Sequence, residues 1–384
     1  LEGQSGVFWS ARRYVPDREP GVGPMLVGQY PKLGSDLPVA VSKLQVDGAF
    51  NHNTPQMLRT PDGFIHVFLT SDHRVSETYN RSILHYFRSE RPEDIRTLVD
   101  PTDRIRFDGQ TKFTDFHARL NVGITPDGTR AALVILAISA DGSVGFNTPV
   151  LFAGERDGPD FRFEPPVAYA EPMGLFYPQV AASDEAIVVV GRVYDDQQRI
   201  QTRLLQLDWS GKLVHVENFR EPAVNPYTPE DLRALDDRNR RLLLCAHDLG
   251  RGFDLWEYDV QTRTKELIRS VDFGQGKNPG HPKAVLDGSG GVLVLGAPRE
   301  ASYAYRVPLR RDEPVVAETL DEPPAPARIG FLTNNYICVP NRLYGSLEPA
   351  GSFYLAADFA NPSWRNSQVG PFSWLLWRLR SGQP

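Results

Sequence analysis

Short apolar segments recur along the whole chain, and each is bounded by a turn rich in Asp, Gly or Pro. Representative segments are Phe64–Leu69, Ala131–Leu136, Ala186–Val190, Arg241–Cys245 and Gly291–Leu295. Segments of this length, with alternating or β-branched residues, are typical of β-strands, whereas the spacing of an amphipathic helix is scarce. The pattern therefore predicts an all-β protein.

These segments belong to a longer repeat of about 50 to 65 residues. Each copy has a turn with His or X-Pro, then a strand, then a turn of Asp and Gly, then a second strand. The copies begin near His52, His117, Tyr177, Tyr227, His281 and Asn335. A repeat of this length is typical of the four-stranded blade of a β-propeller.

Two further apolar segments lie outside the six copies, at Gly6–Ser10 and Phe372–Leu379. We expect them to close a last blade with strands from both ends of the chain, because ring closure removes exposed sheet edges. Gly and Pro are scattered and form no linker. The sequence therefore predicts one seven-bladed β-propeller domain over residues 1–384, with six blades as the alternative. A pair of β-sandwiches or a β-helix is the competing fold.

Composition limits the possible partners. The net charge of -6, from 42 basic and 48 acidic residues, differs from the basic pattern of nucleic-acid-binding proteins. No apolar run reaches the roughly 18 residues of a membrane span. We therefore expect neither a nucleic-acid nor a membrane partner. We also expect the protein to be a monomer.

The polar residues that begin the copies are the candidate site, because the innermost strands of all blades start at the same end of a propeller channel. His52 begins the first copy, and His73 follows its second strand. Tyr177 begins the third copy, and Arg192 ends its second strand. The sequence thus predicts a His/His pair that faces a Tyr/Arg pair. The other polar residues expected to bind substrate are Asn51, Asn53, His117, Tyr227 and His281.

This set of side chains suits β-elimination at a uronic acid. The reaction needs a group that neutralises the carboxylate, a base that removes the C5 proton and an acid that protonates the leaving oxygen. Arg binds carboxylates through two hydrogen bonds, while His and Tyr transfer protons. The chemistry requires no metal, cofactor or nucleophile, and the expected partner is an anionic polysaccharide or oligosaccharide.

Short segments in two regions of the chain, residues 50–95 and 176–192, carry a resemblance to a known family. Residues 50–58, 61–68, 72–73 and 84–95 resemble the opening of BNR-4-type propellers, which include polysaccharide lyases that cleave ulvan and related rhamnose-glucuronate glycans. Residues 176–180 and 190–192 are similar to the Tyr-Pro and Arg positions of that group. The resemblance covers about the first half of the chain.

The resemblance implies that His52, His73, Tyr177 and Arg192 form a lyase active site. Arg192, helped by His52, would neutralise the carboxylate. His73 and Tyr177 would share the base and acid roles, and we favour His73 as the base and Tyr177 as the acid. It also implies a secreted or periplasmic protein, because such polymers lie outside the cell.

A structural zinc or calcium ion is an open alternative. Cys245, His247, His281 and Cys338 are of ligand types that zinc prefers, yet their spacing matches no compact zinc motif. The two cysteines also permit one disulfide or two buried thiols.

Two other functions compete with a lyase. A sialidase-like glycoside hydrolase would need paired carboxylates, or an Arg triad with a Tyr nucleophile. Asp72, Asp115 and Asp231 lie near the starts of the copies, and residues 139–146 faintly resemble the Asp-box turn of sialidases. A non-catalytic carbohydrate-binding propeller would instead stack sugars on aromatic residues, for which the candidates are Trp256, Tyr258, Tyr336 and Tyr344.

Overall fold

The structure of the protein is a computed structural model. It describes residues 3–12, 23–31, 34–48, 55–70, 84–106, 120–137, 148–168, 175–194, 200–219, 227–248, 250–277, 283–286, 291–296, 303–318, 353–357 and 375–379. These residues form β-strands and one 3-10 turn at Thr102–Arg104, with no α-helix among them and hence no helix that could cross a bilayer. The all-β prediction is confirmed.

The strands of the described residues form seven antiparallel sheets, which we number I to VII along the chain. Sheet I contains β1 (Gly6–Arg12), β2 (Gly23–Pro31) and β3 (Ala40–Gly48). Sheet II contains β4 (Gln56–Arg59), β5 (Ile65–Thr70), β6 (Leu84–Arg91) and β7 (Asp94–Val99). Sheet III contains β8 (Asn121–Ile124), β9 (Arg130–Ala137), β10 (Thr148–Asp157), β11 (Asp160–Phe163) and β12 (Val167–Ala168).

The remaining sheets come from the second half of the chain. Sheet IV contains β13 (Phe176–Ala182), β14 (Ile187–Tyr194), β15 (Ile200–Leu207) and β16 (Leu213–Asn218). Sheet V contains β17 (Tyr227–Ala234), β18 (Arg241–Asp248), β19 (Gly250–Asp259) and β20 (Thr264–Lys277). Sheet VI contains β21 (Lys283–Leu286), β22 (Gly291–Gly296), β23 (Tyr303–Pro308) and β24 (Val316–Glu318). Sheet VII contains β25 (Phe353–Ala357) and β26 (Leu375–Leu379).

Sheets II, IV, V and VI each have four strands in simple up-and-down order, which is the strand order of a propeller blade. In sheet III, β12 pairs with β10 in addition to β9 and β11, while sheet I has three strands and sheet VII has two. The described residues therefore show four blades of four strands each, instead of the seven or six that the repeat predicts. Closure of the last blade by both chain ends stays a prediction, since β1 is seen paired with β2, and β26 with β25.

The first strands of successive sheets lie side by side. β4 contacts β8, β8 contacts β13, β13 contacts β17, and β17 contacts β21. Strands that meet in this way are the innermost strands of a propeller. Because neighbouring strands are antiparallel, each first strand starts where the second strand of its sheet ends. We call this end of the molecule the site end.

Apolar cores fill the spaces between successive sheets. In β14, Ile187 and Val189 pack towards sheet III, whereas Val188 and Val190 pack towards sheet V. Successive side chains of a strand point to opposite faces, so one apolar strand supplies two cores. This explains why the second strands of the sheets, such as β14, are rich in continuous apolar runs.

In sheets II and III, the connections at the two ends differ in length. At the site end, residues 71–83 join β5 to β6, and residues 138–147 join β9 to β10. At the opposite end the first two strands of these sheets are joined by short turns, residues 60–64 and 125–129. That end is also tied across sheets, because the Asn239 side chain donates hydrogen bonds to two carbonyl groups, those of Ile124 at 3.2 Å and Ala182 at 2.6 Å. Longer connections commonly carry binding residues, which favours the site end.

Candidate functional site

Arg192 is the predicted site residue that the structure describes best. It lies near the end of β14 and pairs with Phe176, the first residue of the innermost strand β13. Tyr177 follows Phe176 along β13, within an irregular stretch of the pairing that ends at Gln179. Arg192 and the backbone of Tyr177 therefore lie on neighbouring strands at the site end, while their catalytic roles stay predictions.

The side chain of Arg192 faces sheet V. The pairing of β14 with β15 is regular from Ile187 to Tyr194, so its side chains alternate strictly. Val188 and Val190 pack towards sheet V, which places Arg192 and Tyr194 on the same side. The guanidinium carbon of Arg192 lies 5.1 Å from the centre of the Tyr194 ring.

A carboxylate of sheet V also faces the space between sheets IV and V. In β18, Leu242, Leu244 and Ala246 pack against sheet IV, and the pairing of β18 with β19 is regular. Alternation therefore places Asp248, the last residue of β18, on the side that faces sheet IV. Asp248 pairs with Tyr227, the first residue of β17, just as Arg192 pairs with the first residue of β13.

A second carboxylate lies closer to the apolar core between these sheets. Asp254 pairs with Ala246 and so faces sheet IV too. Its Oδ1 accepts a hydrogen bond from the hydroxyl of Ser270. From the opposite sheet, Thr202 pairs with Arg192 and is fully buried. The space between sheets IV and V thus changes from apolar to polar at the site end. We name this polar part the IV–V crevice, formed by Arg192, Tyr194, Thr202, Asp248 and Asp254.

The two carboxylates of the crevice are diagonal neighbours. Asp248 pairs with Gly252, and Asp254 is two residues further along β19. Diagonal neighbours on antiparallel strands are about 7–8 Å apart. This register places two carboxylates near each other on one face of the sheet, and a pair of neighbouring carboxylates is what a glycoside hydrolase requires. The sequence interpretation missed this pair, although Asp248 ends its strand at the register of Arg192.

Most of the other predicted site residues lie outside the described residues: His52, His73, Asn51, Asn53, His117 and His281. Tyr227 begins the innermost strand β17, so its backbone lies at the site end. The proposed roles of these residues stay predictions.

The metal hypothesis receives no geometric support from the described residues. Cys245 is buried in the core between sheets V and VI. His247 follows two residues later on β18 and is 5% exposed, while His281 and Cys338 lie outside the described residues. Across the described ranges, no group of three or more His, Cys, Asp or Glu residues is placed to hold a metal ion.

Asp231, a candidate carboxylate for a glycoside hydrolase, stabilises the contact between sheets V and VI instead. It is fully buried, and its Oδ2 lies 2.9 Å from the guanidinium of Arg233. It also accepts the backbone N–H groups of Leu232 at 3.1 Å and Ala284 at 3.2 Å. A carboxylate with these partners and no exposure joins sheets V and VI and cannot reach a sugar. The other hydrolase candidates, Asp72, Asp115 and residues 139–146, lie outside the described residues.

The prediction that Tyr258 stacks on sugars is wrong. Tyr258 is fully buried, and its hydroxyl donates a hydrogen bond of 2.8 Å to Oε1 of Gln206. Burial raises the pKa of its hydroxyl well above the usual range. Trp256 packs against the same core, and its ring is steeply inclined to that of Phe219, at an angle of 73°. The neighbouring sheet IV covers Tyr258, whereas Trp256 is half-buried against the same core. Tyr336 and Tyr344 lie outside the described residues.

Comparison with known proteins finds similarity in fold. No protein-family model and no curated protein sequence matches the chain. A Trypanosoma rangeli sialidase in complex with sialic acid superposes with a TM-score of 0.50 and 11% identity, over 96% of this chain and 59% of the sialidase. This chain thus corresponds to little more than half of that sialidase.

Two further solved structures are more distant. An α-L-arabinofuranosidase from Fusarium graminearum has a TM-score of 0.46 and 12% identity, over 85% of this chain and 92% of that one. An exo-β-1,3-galactanase from Phanerochaete chrysosporium has a TM-score of 0.38 and 10% identity, over 73% and 61%. Together with the blade topology, the match to the sialidase identifies this chain as a β-propeller of the same general fold as that enzyme.

Proposed function

We propose that this protein is a carbohydrate-active β-propeller that cleaves a uronic-acid-containing glycan by β-elimination. The observation that carries the proposal is the position of Arg192, a half-buried guanidinium at the site end beside the strand of Tyr177. The sialidase of similar fold binds sialic acid, which is also a sugar with a carboxylate. The resemblance to BNR-4-type lyases supports the finer assignment to ulvan-like or rhamnose-glucuronate substrates.

In this proposal Arg192 pairs with the substrate carboxylate. Two parallel N–H···O hydrogen bonds withdraw charge from the carboxylate, and a partly buried site strengthens this attraction. The proton on C5, next to the carboxylate, becomes more acidic as a result. His52 assists at the carboxylate.

Proton transfer completes the reaction. His73 takes the C5 proton, and the electrons of the C5–H bond form a double bond between C4 and C5. The bond from C4 to the glycosidic oxygen breaks, and Tyr177 donates a proton to that oxygen. The residues proposed to hold the flanking sugars are Asn51, Asn53, His117, Tyr227 and His281.

The test is a spectroscopic assay with uronate-rich polysaccharides. A lyase produces an unsaturated uronate that absorbs in the ultraviolet. Arg192→Ala should lower kcat/KM by about 100-fold to 1000-fold, the usual effect of losing one electrostatic contact in an active site. Arg241→Ala is the matched control, because Arg241 pairs with Glu257 at the start of β18, away from the site end. Absence of the chromophore, or activity that survives both Arg192→Ala and His73→Ala, would refute the proposal.

A glycoside hydrolase is the second candidate, and the diagonal placement of Asp248 and Asp254 favours it. One carboxyl group would act as the acid and the other as base or nucleophile. A hydrolase would release reducing ends without the ultraviolet chromophore. Asp248→Asn and Asp254→Asn would then abolish activity, whereas for a lyase Arg192→Ala has the larger effect.

We also propose that the four blades and the remaining sheets belong to one β-propeller domain. A secreted or periplasmic location and a monomeric state belong to the same proposal. Sedimentation of the purified chain tests the monomer.

A further inference from the structure

We infer that Tyr194 positions Arg192 for the carboxylate of an acidic sugar, and so contributes to the selection of uronates over neutral sugars. This inference rests on the proposed function. It concerns a residue that the sequence did not single out, the last residue of β14.

The backbone around Arg192 is fixed by packing on one face of β14. Val193 is 3% exposed and lies in the core between sheets III and IV. A Cβ atom on Gly191 would lie 2.3 Å from Cγ of Leu175, so Leu175 packs directly on the backbone there. The remaining freedom at this point belongs to the long side chain of Arg192, which has many rotamers.

Tyr194 restricts this freedom from the other face. It is two residues after Arg192 on the same side of the strand, and its ring centre is 5.1 Å from the guanidinium carbon. Tyr194 is 37% exposed, so its side chain lies at the surface of the IV–V crevice. An attraction between a guanidinium and an aromatic face acts over this distance and holds the cation near the ring.

The kind of contact matters because the crevice also contains acidic side chains. Asp248 and Asp254 face the same space, and any carboxylate that reaches a guanidinium competes with a substrate carboxylate for its N–H groups. The attraction to the ring comes from its π electrons and needs no carboxylate acceptor. A ring against the face of the guanidinium orients it without using the N–H groups in its plane, which are the groups that bind a carboxylate through two hydrogen bonds.

The experiment compares two sugars that differ in one group. Methyl glucuronide carries the carboxylate but no glycosidic leaving group on C4, and methyl glucoside lacks the carboxylate. Their dissociation constants are measured by NMR titration for the wild type, Tyr194→Leu and Tyr194→Phe. Val216→Ala, at an exposed position on the outer strand β16, is the control. The Nε–Hε signal of Arg192 reports on the aromatic ring directly, because a nearby ring shifts it.

Tyr194→Leu should weaken binding of methyl glucuronide about twofold to thirtyfold, the range of a cation–π contact, and leave methyl glucoside unchanged. Tyr194→Phe should restore the preference, and only Tyr194→Leu should remove the ring shift of the Arg192 signal. In the enzymatic assay the loss should appear mainly in KM. If Tyr194→Leu keeps the preference for methyl glucuronide and Arg192→Ala abolishes it, the role of Tyr194 is wrong but the proposed role of Arg192 stands. A wild type without any preference for the glucuronide, or a preference that survives Arg192→Ala, overturns the proposed role of Arg192 as well.

Discussion

The hydroxyl of Tyr86 lies 2.7 Å from Nδ1 of His66 in the core between sheets II and III. The same hydroxyl accepts the backbone N–H of Phe161 at 3.1 Å. The arrangement with fewest unsatisfied groups has the Tyr86 proton on the bond to Nδ1 and the His66 proton on Nε2. Nε2 is buried without a hydrogen-bond partner. Burial, with the positive charges of Arg156 and Arg88, holds the pKa of His66 well below its usual range.

This histidine should make the fold sensitive to acid. The pKa of His66 is lower in the folded state than in the unfolded state, so its contribution to stability is complete above about pH 6.5. As pH falls below that value, the unfolded chain binds a proton that the folded chain does not. We expect the free energy of unfolding to fall by up to about 1.4 kcal/mol per pH unit from this group. Denaturant unfolding between pH 7.5 and 5 measures it.

Two variants isolate the contribution of His66. In His66→Phe the slope of stability against pH should be smaller than in the wild type, because the titrating group is gone. Tyr86→Phe is the matched control, since it removes the hydroxyl but keeps the buried imidazole, and should retain the slope. An equal slope in the wild type and His66→Phe contradicts this account.

Asp231 should matter for stability and not for chemistry. Its buried carboxylate accepts the N–H of Ala284 and pairs with Arg233, so it links sheets V and VI. Removing the charge in Asp231→Asn leaves these donors poorly satisfied. We expect a loss of about 2–4 kcal/mol in the free energy of unfolding, measured in denaturant. Activity per folded molecule should be unchanged, and a selective loss of kcat in a stable variant would show that this interpretation is wrong.

Glu93 should hold the N-terminal segment to sheet II. Its carboxylate accepts the backbone N–H groups of Gln4 at 2.6 Å and Ser5 at 2.7 Å, and it pairs with Arg59 at 2.7 Å. Burial alone would raise the pKa of Glu93, but these hydrogen bonds and Arg59 lower it overall. The contribution to stability is therefore present above the ordinary glutamate range and is lost as pH falls through the lowered pKa.

Glu93→Gln removes the charge from this contact. Amide hydrogens of Gln4 and Ser5 should exchange about 5-fold to 30-fold faster near neutral pH, since each charge-assisted bond contributes on the order of 1–2 kcal/mol. Glu90→Gln is the control, because Glu90 is exposed in the neighbouring strand β6. Equal exchange rates of these amides in Glu93→Gln and Glu90→Gln would show that Glu93 does not hold the N-terminal segment to sheet II.

Gly191 should tolerate no side chain next to Arg192. A Cβ atom there would lie 2.3 Å from Cγ of the buried Leu175. We expect Gly191→Ala to destabilise the fold by about 1–3 kcal/mol, the usual cost of overpacking a core. The double variant Gly191→Ala with Leu175→Ala should recover part of the loss, which a double-mutant cycle measures. Strictly additive effects would contradict the close contact.

The strands, their order within a repeat and the placement of Arg192 beside the strand of Tyr177 could be predicted from the sequence. Alternation and turn residues are local properties, so they can be read without knowing the neighbouring sheets. The same alternation assigns each of four residues to one of the two faces of its strand: Asp231, Asp248, Asp254 and Tyr258.

Which neighbouring sheet covers each face of a strand is known only from the three-dimensional structure. Sheet IV covers Tyr258 and makes it a core residue, while the backbone of Ala284 in sheet VI engages Asp231. Asp248 and Asp254 are diagonal neighbours because β18 and β19 align in one particular register, and they face the same space as Arg192 because sheets IV and V pack together. Packing between sheets joins residues far apart in the chain, and a pattern of period two along one strand carries no information about that partner.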